Sequence, residues 1–132
     1  MSMERLPRLL SVDDDPDSAE LVVRVAERCG YEAFATSDSR GVVNLTKALA
    51  PDVLTVDICM PNIDAHELFR LLAEASIKAK IVIVSGQDHS VLERTRDDAK
   101  ALGPEVPYVQ QKPLDFRKLR EMLMAPEVQA FA

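Results

Sequence analysis

Apolar positions along this chain fall into short runs, separated by longer stretches in which apolar and polar residues recur at helical spacing. The two patterns alternate from one end to the other. Residues 8–12, Arg-Leu-Leu-Ser-Val, read as a first strand. Asp13, Asp14 and Asp15 follow, then Pro16. An acid that can cap, followed by a proline suited to the first helical position, starts a helix. Ala19, Val22, Val23 and Ala26 give it a buried face and carry it to about Cys29, where Gly30 stops it. Residues 31–36 make a weaker second strand, and Ser37 or Asp38 caps a helix reaching Leu49. Residues 53–56 are a third strand ending at Asp57, and Pro61 forbids simple continuation. Asp64 and Glu67 form a capping box for a helix whose apolar face is Leu68, Leu71, Leu72 and Ala75. Residues 80–84 are the most apolar strand and end at Ser85-Gly86. A polar helix over 89–102 stops at Gly103-Pro104. Residues 107–110 are a short fifth strand broken by Lys112-Pro113, and a helix over 115–124 turns Phe116, Leu119 and Leu123 inward.

Five repeats of strand then helix predict an α/β fold: a doubly wound, five-stranded parallel sheet with helices on both faces and right-handed crossovers. One domain over residues 1–124 accounts for the pattern. Residues 125–132 are expected to be a C-terminal tail or the start of a linker. At 132 residues the chain can bury roughly two-thirds of its unfolded surface. With 5% aromatic residues and no Trp, the core must be aliphatic.

A net charge of −6, with Arg and Lys scattered, argues against nucleic acid or an anionic membrane as partners of this domain. No apolar stretch approaches the length of a membrane span, and residues 1–7 lack the core of a secretory signal. A cytoplasmic location is the expectation. Cys29 and Cys59 have neither CxxC nor metal-ligand spacing and are expected to be reduced thiols. His66 and His89 open helices and should face solvent.

Because all strands of a parallel sheet point one way, every loop that follows a strand lies on the same edge. Asp13 and Asp14, Asp57, Ser85 and Lys112 therefore gather there. Taken singly, each has a bland reading: a cap, a turn or a surface stop. Together, at the ends of four strands, they make a chemical set. Three carboxylates a few ångströms apart repel by about 4 kcal/mol per pair at an effective dielectric near 20, and a cation between them relieves this. Oxygen ligands without His or Cys select Mg²⁺, with Mn²⁺ possible. A metal, the Lys112 ammonium and the Ser85 hydroxyl facing one carboxylate suit a phosphoryl group, with Asp57 as nucleophile.

Val12-Asp13-Asp14-Asp15, Val56-Asp57-Ile58-Cys59-Met60-Pro61-Asn62-Ile63-Asp64, Ile81-Val82-Ile83-Val84-Ser85-Gly86 and Lys112-Pro113 resemble the motifs of two-component response-regulator receiver domains, over about residues 8–124. The resemblance implies a flavodoxin-like fold with strand order 2-1-3-4-5. It implies a phosphorelay signalling switch in which Asp57 is the phosphoacceptor, supplied by a sensor histidine kinase or a histidine phosphotransfer protein. Asp14, Asp57 and the main-chain carbonyl of Cys59 would hold Mg²⁺ directly, with Asp13 acting largely through water. Ser85 and Lys112 would contact the phosphoryl oxygens, and the Lys112–Pro113 bond would be cis. Such a domain is not a conventional enzyme; it catalyses only its own phosphorylation and dephosphorylation. Its fourth helix, fifth strand and fifth helix would offer a face for a homodimer or an output domain.

The chain departs from the family pattern at three places. Val109 stands where many receivers carry a switch Tyr or Phe, and Tyr108, one residue earlier, should face the other way. Ala65 replaces a common glycine, and Leu114 a frequent Phe. These departures motivate the alternative of a pseudo-receiver, an interaction module working without phosphate. A third class, a Mg²⁺-dependent phosphohydrolase, is disfavoured because Cys59 stands where such enzymes place a second acid.

Overall fold

The computed structural model describes residues 5–59 and 64–129. Strand β1 (Arg8–Val12) leads into helix α1 (Pro16–Arg28), and β2 (Glu32–Thr36) into a 3₁₀ turn (Ser39–Gly41) that runs on as α2 (Val42–Leu49). Next come β3 (Val53–Asp57), α3 (Ala65–Glu74), β4 (Lys80–Ser85), α4 (His89–Leu102), β5 (Glu105–Gln111) and α5 (Phe116–Met124). A short α6 (Pro126–Gln129) ends the described chain. All strand pairs are parallel and the sheet order is β2-β1-β3-β4-β5, as expected.

The local signals act as capping chemistry requires. Asp15, Asp64 and Asp115 each accept a hydrogen bond from the first turn of the helix they precede. Gly30 takes φ 92° directly after α1, a conformation most side chains resist. Asp38 caps the 3₁₀ turn rather than α2 itself. Only half of the expected capping box forms as such. The Glu67 N–H donates to Asp64, but the Glu67 carboxylate is engaged by Arg70 one turn on.

Each face of the sheet has its own aliphatic core. On one side Leu10, Val12, Leu54, Val56, Ile81 and Ile83 pack against α2, α3 and α4. On the other, Leu9, Val53, Val82 and Val84 meet Val22, Val25 and Ala26 of α1 and Leu119 and Leu123 of α5. Alternation along each strand sends successive residues to opposite faces, which is why nearly continuous apolar strands are needed.

Three helix faces are rotated from expectation. In α1, Val25 is buried while Val23 is only half-buried, so the stripe is Ala19, Val22, Val25, Ala26. In α3, Phe69 is fully buried and Leu71 is 37% exposed. Both patterns contain more apolar residues than one face can hold, and docking against the sheet chooses among them. Phe116, expected inward, is 61% exposed: it sits one turn before Leu119, on the wall of an open groove with Val25 and Leu114. Residues 125–132, expected as a tail or linker, include α6. Its Val128 is fully buried in the α1–α5 core, and its Glu127 accepts a hydrogen bond from Tyr108.

Strand β5 is longer than expected, and its register with β4 shifts. Lys80 pairs with Glu105, yet Val82 pairs with Tyr108, so one extra residue is accommodated near Pro107. Proline in an edge strand is tolerated at such an irregularity. Arg96 of α4 donates to the carbonyls of Val106 and Pro107, satisfying backbone groups that the shift leaves without a ladder partner. Tyr108 then packs in the α1–α5 core and Val109 against the opposite one, as expected from alternation.

Phe69→Ala should cost about 3–5 kcal/mol in urea unfolding, whereas Leu71→Ala should cost under about 1; a larger loss for Leu71→Ala would place α3 in the phase expected from its sequence. The buried Tyr31 hydroxyl donates to the Leu123 carbonyl at 2.8 Å, and desolvation chiefly raises its pKa from 10.0 to about 12. The folded chain thus binds this proton more tightly than the unfolded one. Its stabilisation is complete below pH 10 and is lost as pH rises toward 12, by on the order of 2 kcal/mol. Tyr31→Phe should be less stable at pH 7 by about 1 kcal/mol and should decline less steeply between pH 10 and 12.

Candidate functional site

The strand register builds the site step by step. Val12 pairs with Val56, so Asp13 and Asp57 emerge side by side from β1 and β3. Asp57 pairs with Val84, which sets Ser85 one residue further along, and Ser85 pairs with Gln111, which sets Lys112 beyond it. The Lys112 N–H donates to the Ser85 carbonyl at 2.7 Å and fixes the last of these steps.

Asp13 and Asp57 are almost fully buried, at 2% and 4% exposure, while Asp14 is exposed. One carboxylate oxygen from each of the three lies within 4.8 Å of the others. The Lys112 ammonium bridges the buried pair, 2.9 Å from Asp13 Oδ2 and 3.0 Å from Asp57 Oδ2. Asp57 Oδ1 accepts the Cys59 N–H at 2.8 Å, and Asp13 Oδ1 accepts the Asp15 N–H at 2.9 Å. Ser85 is fully buried; its Oγ accepts the Gln87 N–H at 3.3 Å and touches Cys59 Sγ at 2.7 Å. The Lys112–Pro113 bond is cis.

Electrostatics follow from this burial. Desolvation pushes the Asp13 carboxyl above its ordinary range, more than the Lys112 ammonium and the Asp15 N–H pull it down. Burial works against the Lys112 charge too, but Asp13 and Asp57 outweigh it and hold the ammonium above its usual pKa. Asp13 Oδ2 has the Lys112 ammonium 2.9 Å away as an ion pair and no further hydrogen-bond donor. Three converging carboxylates with an unsatisfied oxygen and no nitrogen or sulfur donor suit a hard divalent cation.

Every predicted site residue within the described chain therefore lies on this edge: Asp13, Asp14, Asp57, Cys59, Ser85 and Lys112. Met60, Pro61, Asn62 and Ile63 of the motif lie outside the described residues. His66 and His89 are exposed on helices, as expected, and His89 faces Glu93. The Cys59 side chain, whose expected role at this edge is to tune water access, also touches Ser85, a partner 26 positions away that no local signal in the sequence reveals.

A five-stranded flavodoxin-like sheet whose strand ends present an acid cluster, a hydroxyl and a lysine defines a phosphate-handling signalling domain. The model of the response regulator receiver domain matches residues 9–124, and the chain belongs to that family. It is 31% identical to the chemotaxis protein CheY of Thermotoga maritima over 96 residues, covering 70% of this chain and 80% of that protein. It is 29% identical to the transcriptional regulatory protein TrcR of Mycobacterium tuberculosis over 87 residues, 66% of this chain but 34% of TrcR. The chain thus spans about a third of the length of that relative. A response regulator from Colwellia psychrerythraea superposes with a TM-score of 0.79 at 29% identity, over 92% of this chain and 96% of that one. Membership makes the domain a module of phosphorylation-based two-component signalling. Among the described residues, no helix is long and apolar enough to cross a membrane.

Lys112→Ala removes the ammonium that bridges two buried carboxylates. In metal-free buffer at pH 7 it should lower stability by about 2–4 kcal/mol, and Mg²⁺ or a fall in pH should recover part of the loss. Thermal melts that leave the variant equal to wild type would mean Lys112 does not offset the acid cluster.

Proposed function

We propose that the domain is a phosphorylation-controlled switch with Asp57 as its phosphoacceptor, taking the phosphoryl group from the phosphohistidine of a sensor kinase or phosphotransfer protein in the cytoplasm. The observation that carries this is Asp57 itself: a nearly buried carboxylate at the end of β3, in an ion pair with Lys112 and within 4.8 Å of two further acids. A carboxylate oxygen of Asp57 attacks phosphorus in line, the bond from phosphorus to the imidazole nitrogen breaks, and its electron pair stays on nitrogen, which takes a proton from solvent. Lys112 neutralises charge on the phosphoryl oxygens, and the Ser85 hydroxyl donates to one of them.

Asp13, Asp14, Asp57 and the Cys59 carbonyl would hold Mg²⁺. Bound there, the ion withdraws charge from the phosphoryl oxygens and relieves the carboxylate repulsion. Loss of phosphate is hydrolysis: water attacks phosphorus, the bond to the Asp57 oxygen breaks, and inorganic phosphate leaves. The domain turns over no other substrate, so it is a self-modifying switch rather than an enzyme in the ordinary sense.

Phosphorylation replaces the −1 carboxylate of Asp57 with a group of about −1.5 to −2, a net gain of roughly half to one negative charge in a site that already holds buried acids. That charge draws Ser85 and Lys112 toward it and biases a pre-existing equilibrium of the domain. The α4–β5–α5 face, where Arg96 ties α4 to the β5 backbone, is the surface through which a second copy or an output domain would sense the change.

Incubation with a small-molecule phosphoryl donor and Mg²⁺ should add one phosphoryl group, and Asp57→Asn should abolish it in intact-protein mass spectrometry. Asp14→Ala should weaken Mg²⁺ binding, read by calorimetry, by at least tenfold. An interaction module that works without phosphate would take neither the metal nor the modification.

A further inference from the structure

Ser85 is fully buried, so its hydroxyl cannot turn to bulk water and must choose among partners within the site. A hydroxyl has one donor and two acceptor positions. The Gln87 N–H takes one acceptor position at 3.3 Å, and Cys59 Sγ lies 2.7 Å from the same oxygen. Lys112 holds the Ser85 backbone through its N–H, so the change open to Ser85 is a swing of its side chain. Cys59 is tethered as well, because its own N–H is bound to Asp57 Oδ1. One residue therefore touches both the nucleophile, through its backbone, and the hydroxyl that is to donate to a phosphoryl oxygen, through its thiol.

We propose that Ser85 donates its one hydroxyl proton to Cys59 Sγ, which makes the thiol a latch on Ser85: a positioning residue that competes with the phosphoryl group for that proton and so weakens the phosphorylated state. This rests on the phosphoacceptor reading of Asp57. Thiols are weak hydrogen-bonding groups, and Cys59 is exposed, so its sulfur can return to water once Ser85 lets go. The latch is accordingly light. It tunes the switch and does not lock it. Its action is separate from that of the Cys59 carbonyl, which any residue at this position retains.

Beryllofluoride with Mg²⁺, a mimic of the phosphoryl group, tests this by titration calorimetry. Cys59→Ala should bind it about two- to tenfold more tightly than wild type, the range expected for one net hydrogen bond. Cys59→Ser, which restores a hydroxyl that can pair with Ser85, should return affinity toward wild type. In a Ser85→Ala background the Cys59→Ala change should have no effect. An unchanged affinity in Cys59→Ala, or the same gain with Ser85 absent, overturns the latch; the latter would mean that Cys59 acts by excluding water. If wild type takes no beryllofluoride, the phosphoacceptor reading falls instead. The latch is then decided by the alkylation rate of Cys59 with iodoacetamide, read peptide by peptide. Ser85→Ala should raise that rate severalfold and leave Cys29 unchanged, and equal rates at Cys59 overturn it.

Discussion

Lys112 stands between two carboxylates that the fold has taken out of water, and the rest of the site is arranged around that ammonium. Burying Asp13 and Asp57 side by side costs several kcal/mol of solvation and adds their repulsion. A single positive charge 2.9 Å and 3.0 Å away offsets much of this and holds β1, β3 and the end of β5 in one arrangement. The balance is incomplete by construction. Three acids face one lysine, one buried oxygen lacks a hydrogen bond, and Asp13 is pushed toward protonation. A site left short of positive charge has the donor set that suits a divalent cation.

The scaffold builds the two sides of that arrangement differently. The three central strands, β1, β3 and β4, are buried almost end to end between two aliphatic cores. The last strand differs. Its register slips by one residue near Pro107, and Arg96 of α4 holds the carbonyls there. The slip matters to the site because it brings Lys112 about 3.3 Å, one residue's rise, nearer the level of Ser85 than continuous pairing would. β5 also carries Val109 toward α4 and Tyr108 toward α6, whose Glu127 takes the Tyr108 hydroxyl. A small aliphatic side chain thus occupies the position at which many receivers have an aromatic switch. The polar links of this strand run instead through Arg96 and Tyr108.

Much of this was legible from the residues themselves. Strand ends were readable because apolar runs stop at charged or hydroxyl residues, and helix starts because Asp15 and Asp64 are caps whose chemistry is local. The gathering of Asp13, Asp14, Asp57, Ser85 and Lys112 followed from parallel topology alone, which sends every strand-to-helix loop to one edge. What could not be read was any choice among near-equivalent apolar residues. Val23 or Val25, Leu71 or Phe69, and an inward or outward Phe116 are settled by the surface each helix meets, and that surface is made by distant parts of the chain.

The sequence by itself determined the class of fold and the set of acids, hydroxyl and lysine at the strand ends, because these depend on residue type and on order along the chain. Tertiary structure alone decided the distances: the bridging of Asp13 and Asp57 by one ammonium, the one-residue slip of β5, the docking of α6 beneath Tyr108, and the contact between Cys59 and Ser85. Each joins groups far apart in sequence, where no periodicity or capping preference reaches. Their geometry is fixed by how strands align and helices pack, a property of the whole chain rather than of any segment of it.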